Sequence, residues 1–262
     1  GEGRGAGAWG GGGGARGAAG VMAGVGGLGT VRLTPAPRPC GLCRARPDSP
    51  RTGLIAPGNP LVGVMLPYTP LHHLLFAGDA GNLGQPVALV MTSGNRSGEP
   101  VATDEASARR ALSDIADLFL THDRDIAARC DDSVVHEPAN VVRQIRRARG
   151  YVPRAITLPF ASPSAVLALG GHLKNTICVI RGDSAHLSAH VGDLDSPASR
   201  TALRSAVDAT VRMTGAHPAI LAHDLQPAHA STGVAEGYAA EHGCRHAYAV
   251  RHPPPRAASV TP

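Results

Sequence analysis

Apolar residues in this chain come mostly in short runs separated by glycine, proline and hydroxyl-rich turns. Runs of that length, rich in Val and Ile, read as strands. They predict strands at 40–43, 59–66, 87–91, 134–135, 141–145, 166–170, 176–180 and 218–224, with a third strand of the later group at 185–188. Helical periodicity is confined to 70–76, 104–112 and 198–214. Thr69 followed by Pro70 is a well-formed helix start, and Leu71, Leu74 and Leu75 then share one face expected to pack inward. Thr103 is the expected cap of the next helix, with Asp104 and Glu105 in its first turn, where the helix dipole favours acids. The pattern is α/β.

The run at 87–91 ends in Thr92-Ser93-Gly94-Asn95-Arg96-Ser97-Gly98. A glycine and hydroxyl loop after a strand lets backbone N–H groups converge on an oxyanion. The same residues also make ordinary chain reversals. Either reading fits the composition.

Residues 1–30 are half glycine and lack apolar periodicity, so disorder is expected there. The Pro/Ser-rich stretch 160–164 reads as a domain boundary. From Arg251 the chain becomes HPPPRAASVTP, an expected disordered tail. No stretch reads as a signal peptide or a membrane span, and a reducing cytoplasm is the default location.

Across 262 residues, 43% are apolar but only 3% aromatic, so the core must come from Val, Leu, Ile and Ala. The net charge of +5 is carried almost wholly by arginine, since Lys174 is the single lysine. Arginine suits bidentate contact with phosphate and carboxylate. The pair Cys40 and Cys43 has the spacing of a redox motif or half a zinc site, yet no second Cys-x-x-Cys completes one. Two cysteines in an apolar strand is the reading preferred. His72 and His73 are adjacent on a helix, about 100° apart, and cannot chelate one ion together.

Further chemistry sits on loops. Asp131, Asp132 and Ser133 stand at the mouth of a strand, where paired carboxylates suit magnesium or acid–base work, or simply pair with Arg124 or Arg129. Pro138-Ala139-Asn140 turns the chain into a hairpin, and Arg143, Arg146, Arg147, Arg149 and Arg154 follow as the densest positive charge. They read as a solvated face or, beside the Ser/Asn loop, a phosphate clamp. Gly170-Gly171-His172-Leu173-Lys174-Asn175 lies between two predicted antiparallel strands, an arrangement in which actin-type ATPases hold phosphate. His190 and Asp193 follow in HVGDLD, and His223 and Asp224 end a later strand.

Taken together, LPYTPLHHLLF, MTSGNRSGEP, DDSVV, IRRARGYVPR, LALGGHLKNT, HVGDLD and HDLQPAHAST resemble, in order and spacing, the HypF-type carbamoyltransferases of [NiFe]-hydrogenase maturation. The resemblance covers about residues 33–250. It implies a twisted mixed sheet of YrdC type, partial, over 33–160, then a smaller partial actin/ASKHA-type α/β lobe over 165–250. The flanks at 1–32 and 251–262 are the expected disordered segments. The implied chemistry uses carbamoyl phosphate and ATP with magnesium. Carbamate is adenylated to carbamoyl-AMP, and the carbamoyl group passes to the C-terminal cysteine of a HypE-type partner. A dry pocket lined with donors suits a labile mixed anhydride. By resemblance Pro67, Ser93, Asn95, Ser133 and Arg149 contact nucleotide in the first part, and Lys174 and Asn175 in the second. Asp131, Asp132, His190 and Asp193 are candidate substrate or magnesium contacts.

Two departures qualify this. The early Lys/Arg element of YrdC-type pockets has no lysine to supply it, and of the family's later histidine cluster only His252 stands. The zinc of the full-length family has no ligand set here, and both ends read as a fragment not expected to turn over alone. A rival family, the threonylcarbamoyl-adenylate synthases of tRNA modification, commonly has arginine two residues before the proline matching Pro67. Met65 stands there instead, and that family has nothing like residues 167–232. A binding module for double-stranded RNA, using the arginines of 143–154, is the reading from another class.

Overall fold

The β-branched runs assemble into two separate sheets in the computed structural model, which describes residues 7–10, 33, 37–48, 52–77, 88–244 and 246–250. The chain divides into two compact units, one of residues 1–93 with 131–151 and another of 94–130 with 152–262.

The first unit contains β1 (Gly7–Gly10), β2 (Cys40–Arg44), α1 (Thr52–Ile55), β3 (Leu61–Met65), α2 (Pro70–Ala77), β4 (Ala88–Met91), β5 (Val134–His136) and β6 (Arg143–Arg146). Its mixed sheet has the order β4-β1-β3-β2-β5-β6. Strand alternation gives the sheet two apolar faces. Val62, Val64 and Leu66 pack with Leu33 on one. Met65 and Cys40 meet Tyr68, Phe76, Leu89, Met91 and Val134 on the other.

Several local expectations are corrected here. Within the glycine-rich segment, Gly7–Gly10 is a strand paired to both β3 and β4, and backbone hydrogen bonds on two sides hold it. The rest of 1–32 lies outside the described residues, as does the tail from 251. The Thr69 hydroxyl does cap α2, accepting the His72 N–H at 3.2 Å. Leu71, Leu74 and Leu75, however, are 46%, 68% and 48% exposed, and Phe76 reaches the core instead. An eight-residue helix apolar nearly all round does not say which face turns inward. On β4, Val90 is exposed because the strand lies at the end of the sheet order.

The second unit holds α3 (Glu105–Leu112), β7 (Ile156–Ala168), β8 (Cys178–Leu187), α4 (Pro197–Thr214), β9 (Ile220–Asp224), α5 (Ala230–His242) and β10 (His246–Val250). Asp104, not Thr103, caps α3, its carboxylate accepting the Ser107 N–H at 2.7 Å. Strand β7 runs through the Pro/Ser-rich stretch 160–164, with register shifts around Ser162 that let its prolines sit where the ladder is irregular. The separate strand expected at 185–188 is the continuation of β8. The sheet order is β10-β9-β7-β8. Leu167, Leu169, Ile177, Val179, Leu203 and Leu221 fill the core between this sheet and the two long helices. Ser196 and Pro197 start α4, and Gly215, in the left-handed region, ends it.

Cys40 and Cys43 stand three apart on β2, so they point to opposite faces and belong to different apolar clusters. Burial, with help from Asp132, pushes the Cys40 thiol up to about 12. The neutral thiol is thus favoured in the fold, a stabilisation present below the ordinary value and lost as pH rises toward 12. Alkylation of native protein near neutral pH should label the exposed Cys130 well before Cys40. Equal labelling rates by mass spectrometry would contradict this packing.

Candidate functional site

In the first unit two of the predicted residues, Ser133 and Arg149, are joined at one buried hydroxyl. Ser133 is 0% exposed; its Oγ accepts the Ala148 N–H at 2.8 Å and donates to the Arg149 carbonyl at 3.0 Å. The Arg149 N–H donates to the Asp131 carbonyl at 3.0 Å. The entry to β5 and the segment after β6 are thereby tied together. Gly150 has φ 86°, and a Cβ there would lie 2.4 Å from the Pro37 Cα, so the turn requires glycine.

That close approach brings residues 37–38 within reach of the Arg149 guanidinium. Nε donates to Asp132 Oδ1 at 2.8 Å, Nη1 to the Pro37 carbonyl at 3.0 Å, and Nη2 to the Arg38 carbonyl at 2.8 Å. Nη2 also lies 3.3 Å from the Met65 sulfur, and the guanidinium carbon stands 3.3 Å from the centre of the Tyr68 ring. Asp131 Oδ2 accepts from Arg146 Nη1 at 3.0 Å. Each aspartate of the pair is therefore engaged by an arginine from the segment around β6. Among the described residues no group of three or more His, Cys, Asp or Glu side chains could hold a metal ion.

Pro67 is buried between Met65 and Tyr68, both of which contact Arg149. Ser93 is exposed at the end of β4. Asn95 braces its own loop, its Nδ2 donating to the Arg96 and Glu99 carbonyls at 2.9 and 2.8 Å. The structure thus joins Asp131, Asp132, Ser133 and Arg149 directly and places Pro67 beside them.

In the second unit, Asn175 organises the loop leaving β7. It is 1% exposed, and its Nδ2 donates to the Leu169 and Gly171 carbonyls at 2.8 and 2.7 Å. Its backbone bridges Gly192 on the neighbouring loop. Gly170 has φ 62°, and a Cβ there would meet the Thr176 carbonyl at 2.4 Å. Lys174, also left-handed with φ 52°, donates its N–H to Asp193 Oδ1 at 2.7 Å and its ammonium to Oδ2 at 3.1 Å. Burial pushes the Asp193 carboxyl up, but the Lys174 N–H and ammonium, with His190, outweigh it and hold it below its ordinary value. The stabilisation is present above the ordinary carboxylate range and lost as pH falls. His190 lies on the same loop as Asp193, two residues before Gly192.

Sequence alone does not reveal the partners of His172 and His229. His172 Nε2 lies 2.9 Å from Asp195 Oδ1, and His229 Nδ1 lies 2.8 Å from Asp224 Oδ2. The two rings are 5.0 Å apart. They lie 57 positions apart in sequence, so only the alignment of β7 beside β9 brings them together.

The chain matches two families in series. The Sua5–YciO–YrdC family, described as telomere recombination, matches residues 31–148, and the HypF Kae1-like domain matches 161–260. The carbamoyltransferase HypF2 of Cupriavidus necator is 50% identical over 232 residues, covering 84% of this chain and 28% of that protein. The carbamoyltransferase HypF of Rhizobium leguminosarum bv. viciae is 45% identical over 208 residues, 78% of this chain and 27% of that protein. Among solved structures, full-length HypF in a phosphate- and nucleotide-bound form superposes with a TM-score of 0.78 at 33% identity, over 89% of this chain and 36% of the other. T. kodakarensis HypF gives 0.83 at 30% identity, over 93% and 31%. The chain spans little more than a quarter of these curated relatives.

Ser133→Ala should lower stability by about 1–3 kcal/mol, because the buried Ala148 N–H loses its acceptor. An unchanged urea midpoint would show that the Ser133 tie does not hold the two segments together.

Proposed function

Because this chain belongs to the HypF carbamoyltransferase family, we propose that it carries nucleotide-dependent carbamoyl chemistry in hydrogenase maturation. The observation that carries this reading is the 170–175 loop, where a lysine ammonium stands on a left-handed backbone after a strand. The residues fit a polyphosphate. Lys174 is 65% exposed along its side chain and is held at the loop's edge by Asp193. Asn175 Oδ1 is buried with no partner among the described residues, so the amide fixes the loop through its nitrogen. Lys174 would turn its ammonium to a phosphate oxygen, and Asn175 would keep the loop backbone in place.

In the first unit, Pro67, Ser93, Ser133 and Arg149 are assigned to the adenylate pocket, with Ser133 and Arg149 fixing its wall through the bonds described above. Asn95 belongs by resemblance to the same nucleotide-contacting set. Magnesium would accompany the phosphates. ATP supplies the activation: its α-phosphate takes up the carbamate oxygen as pyrophosphate departs. Carbamate would come from carbamoyl phosphate by hydrolysis, water entering and inorganic phosphate leaving. The acceptor would be the C-terminal cysteine thiolate of a HypE-type partner, which displaces AMP from the carbamoyl carbon and becomes a thiocarbamate. These steps belong to the whole family protein, of which this chain is a part. No helix among the described residues is long and apolar enough to cross a membrane, and the cytoplasm is the compartment assigned.

The match to a HypF Kae1-like domain over 161–260 weighs against a threonylcarbamoyl-adenylate synthase. The arginines around β6 favour RNA as the second reading, although Arg146 and Arg149 are already paired with Asp131 and Asp132.

Calorimetric titration with the magnesium complex of a non-hydrolysable ATP analogue tests the proposal. Wild-type protein should bind, and Lys174→Gln should weaken binding about tenfold or more, the effect of one charge-assisted hydrogen bond. Folded protein that gives no heat would overturn the reading. Steeply salt-dependent retention of double-stranded RNA in that case would favour the binding module.

A further inference from the structure

The first helical N–H of α5 is capped from a distant loop. His229 occupies the N-cap position of α5 but makes no side-chain cap hydrogen bond. The Ala230 N–H donates instead to His172 Nδ1, 58 residues earlier, at 3.4 Å. His172 Nε2 is 2.9 Å from Asp195 Oδ1. An imidazole that accepts at one nitrogen and donates at the other is neutral. Its side chain is 18% exposed, so bulk water reaches it sparingly.

Protonation removes this arrangement. A second N–H at Nδ1 would face the Ala230 N–H, donor against donor, at the positive end of the helix dipole. The His229 ring lies 5.0 Å away. The charged and titratable groups around the pair are Asp195 and Arg200 at the start of α4, Asp224 and His223 at the end of β9, and Lys174, Asp193 and His190 on the adjoining loops.

We infer that His172 is a positioning residue that caps α5 in its neutral form, and that its protonation releases the 170–175 loop from that helix. Nucleotide binding at Lys174 then weakens on acidification. This consequence rests on the nucleotide reading given above; the clasp itself does not.

Two readouts separate them. In amide NMR spectra of the whole chain, the Ala230 resonance should titrate together with the His172 ring resonances. Affinity for the magnesium complex of the ATP analogue should fall about tenfold from about pH 7.5 to about pH 5.5, the range in which histidine changes charge. His172→Gln keeps an acceptor for Ala230 and a donor for Asp195 but cannot titrate. It should bind at both pH values and flatten the Ala230 transition. An Ala230 resonance that does not follow His172 in the wild type would overturn the clasp without recourse to any variant. So would a transition that persists unchanged in His172→Gln. A wild-type transition without nucleotide binding at either pH would support the clasp and overturn the nucleotide reading.

Discussion

Asn175 has almost no exposed surface, and its amide nitrogen holds two carbonyls of the chain that precedes it. A buried primary amide must find partners for its donors, and here that demand folds the 170–175 loop back on the end of β7. The consequences spread outward. Gly170 and Lys174 are forced into left-handed conformations, the Gly192 loop is drawn alongside by backbone bonds, and Lys174 comes to rest on Asp193. His172, two residues from Lys174, lands against the first turn of α5. One side chain thus sets the position of Lys174 and of the loop that carries it.

The first unit solves a similar problem with a charge. Arg149 gathers two carbonyls, one carboxylate, a thioether and an aromatic face. Bidentate geometry and a flat ring surface are what distinguish arginine from lysine at such a place. A guanidinium with this many partners is held in one orientation, which suits pre-organised recognition. The arginine cluster read from sequence as one positive surface is in fact divided. Arg146 and Arg149 turn to the aspartates, while Arg143 stays exposed.

The motif-bearing elements were legible because their signals are local. Thr69-Pro70 marks a helix start, the run at 59–66 a strand, which forms over 61–65, and Pro138–Asn140 a hairpin. The α/β class was likewise visible in the alternation of apolar runs and helical patterns, whereas the pairing of Lys174-Asn175 with the loop at 190–193 appears only in the fold. What sequence did not supply depends on contacts made far along the chain. Helix α5 has alanines, glycines at 233 and 237, and little amphipathic contrast, so no periodicity announces it. The exposed leucines of α2 could not be foreseen from a helix apolar on most sides. The His172–His229 pair exists only because β7 and β9 lie side by side. The resemblance to HypF proteins stood on ordered motifs, and those are the segments in which the structure places the tied residues.

Hydrogen–deuterium exchange of the folded wild-type chain, with and without the magnesium complex of a non-hydrolysable ATP analogue, measures most directly whether the loop set by Asn175 holds nucleotide. Added protection concentrated at residues 169–176 and 190–195 is the predicted result. Protection confined to other segments, or none in a protein that otherwise exchanges as a folded one, would contradict it.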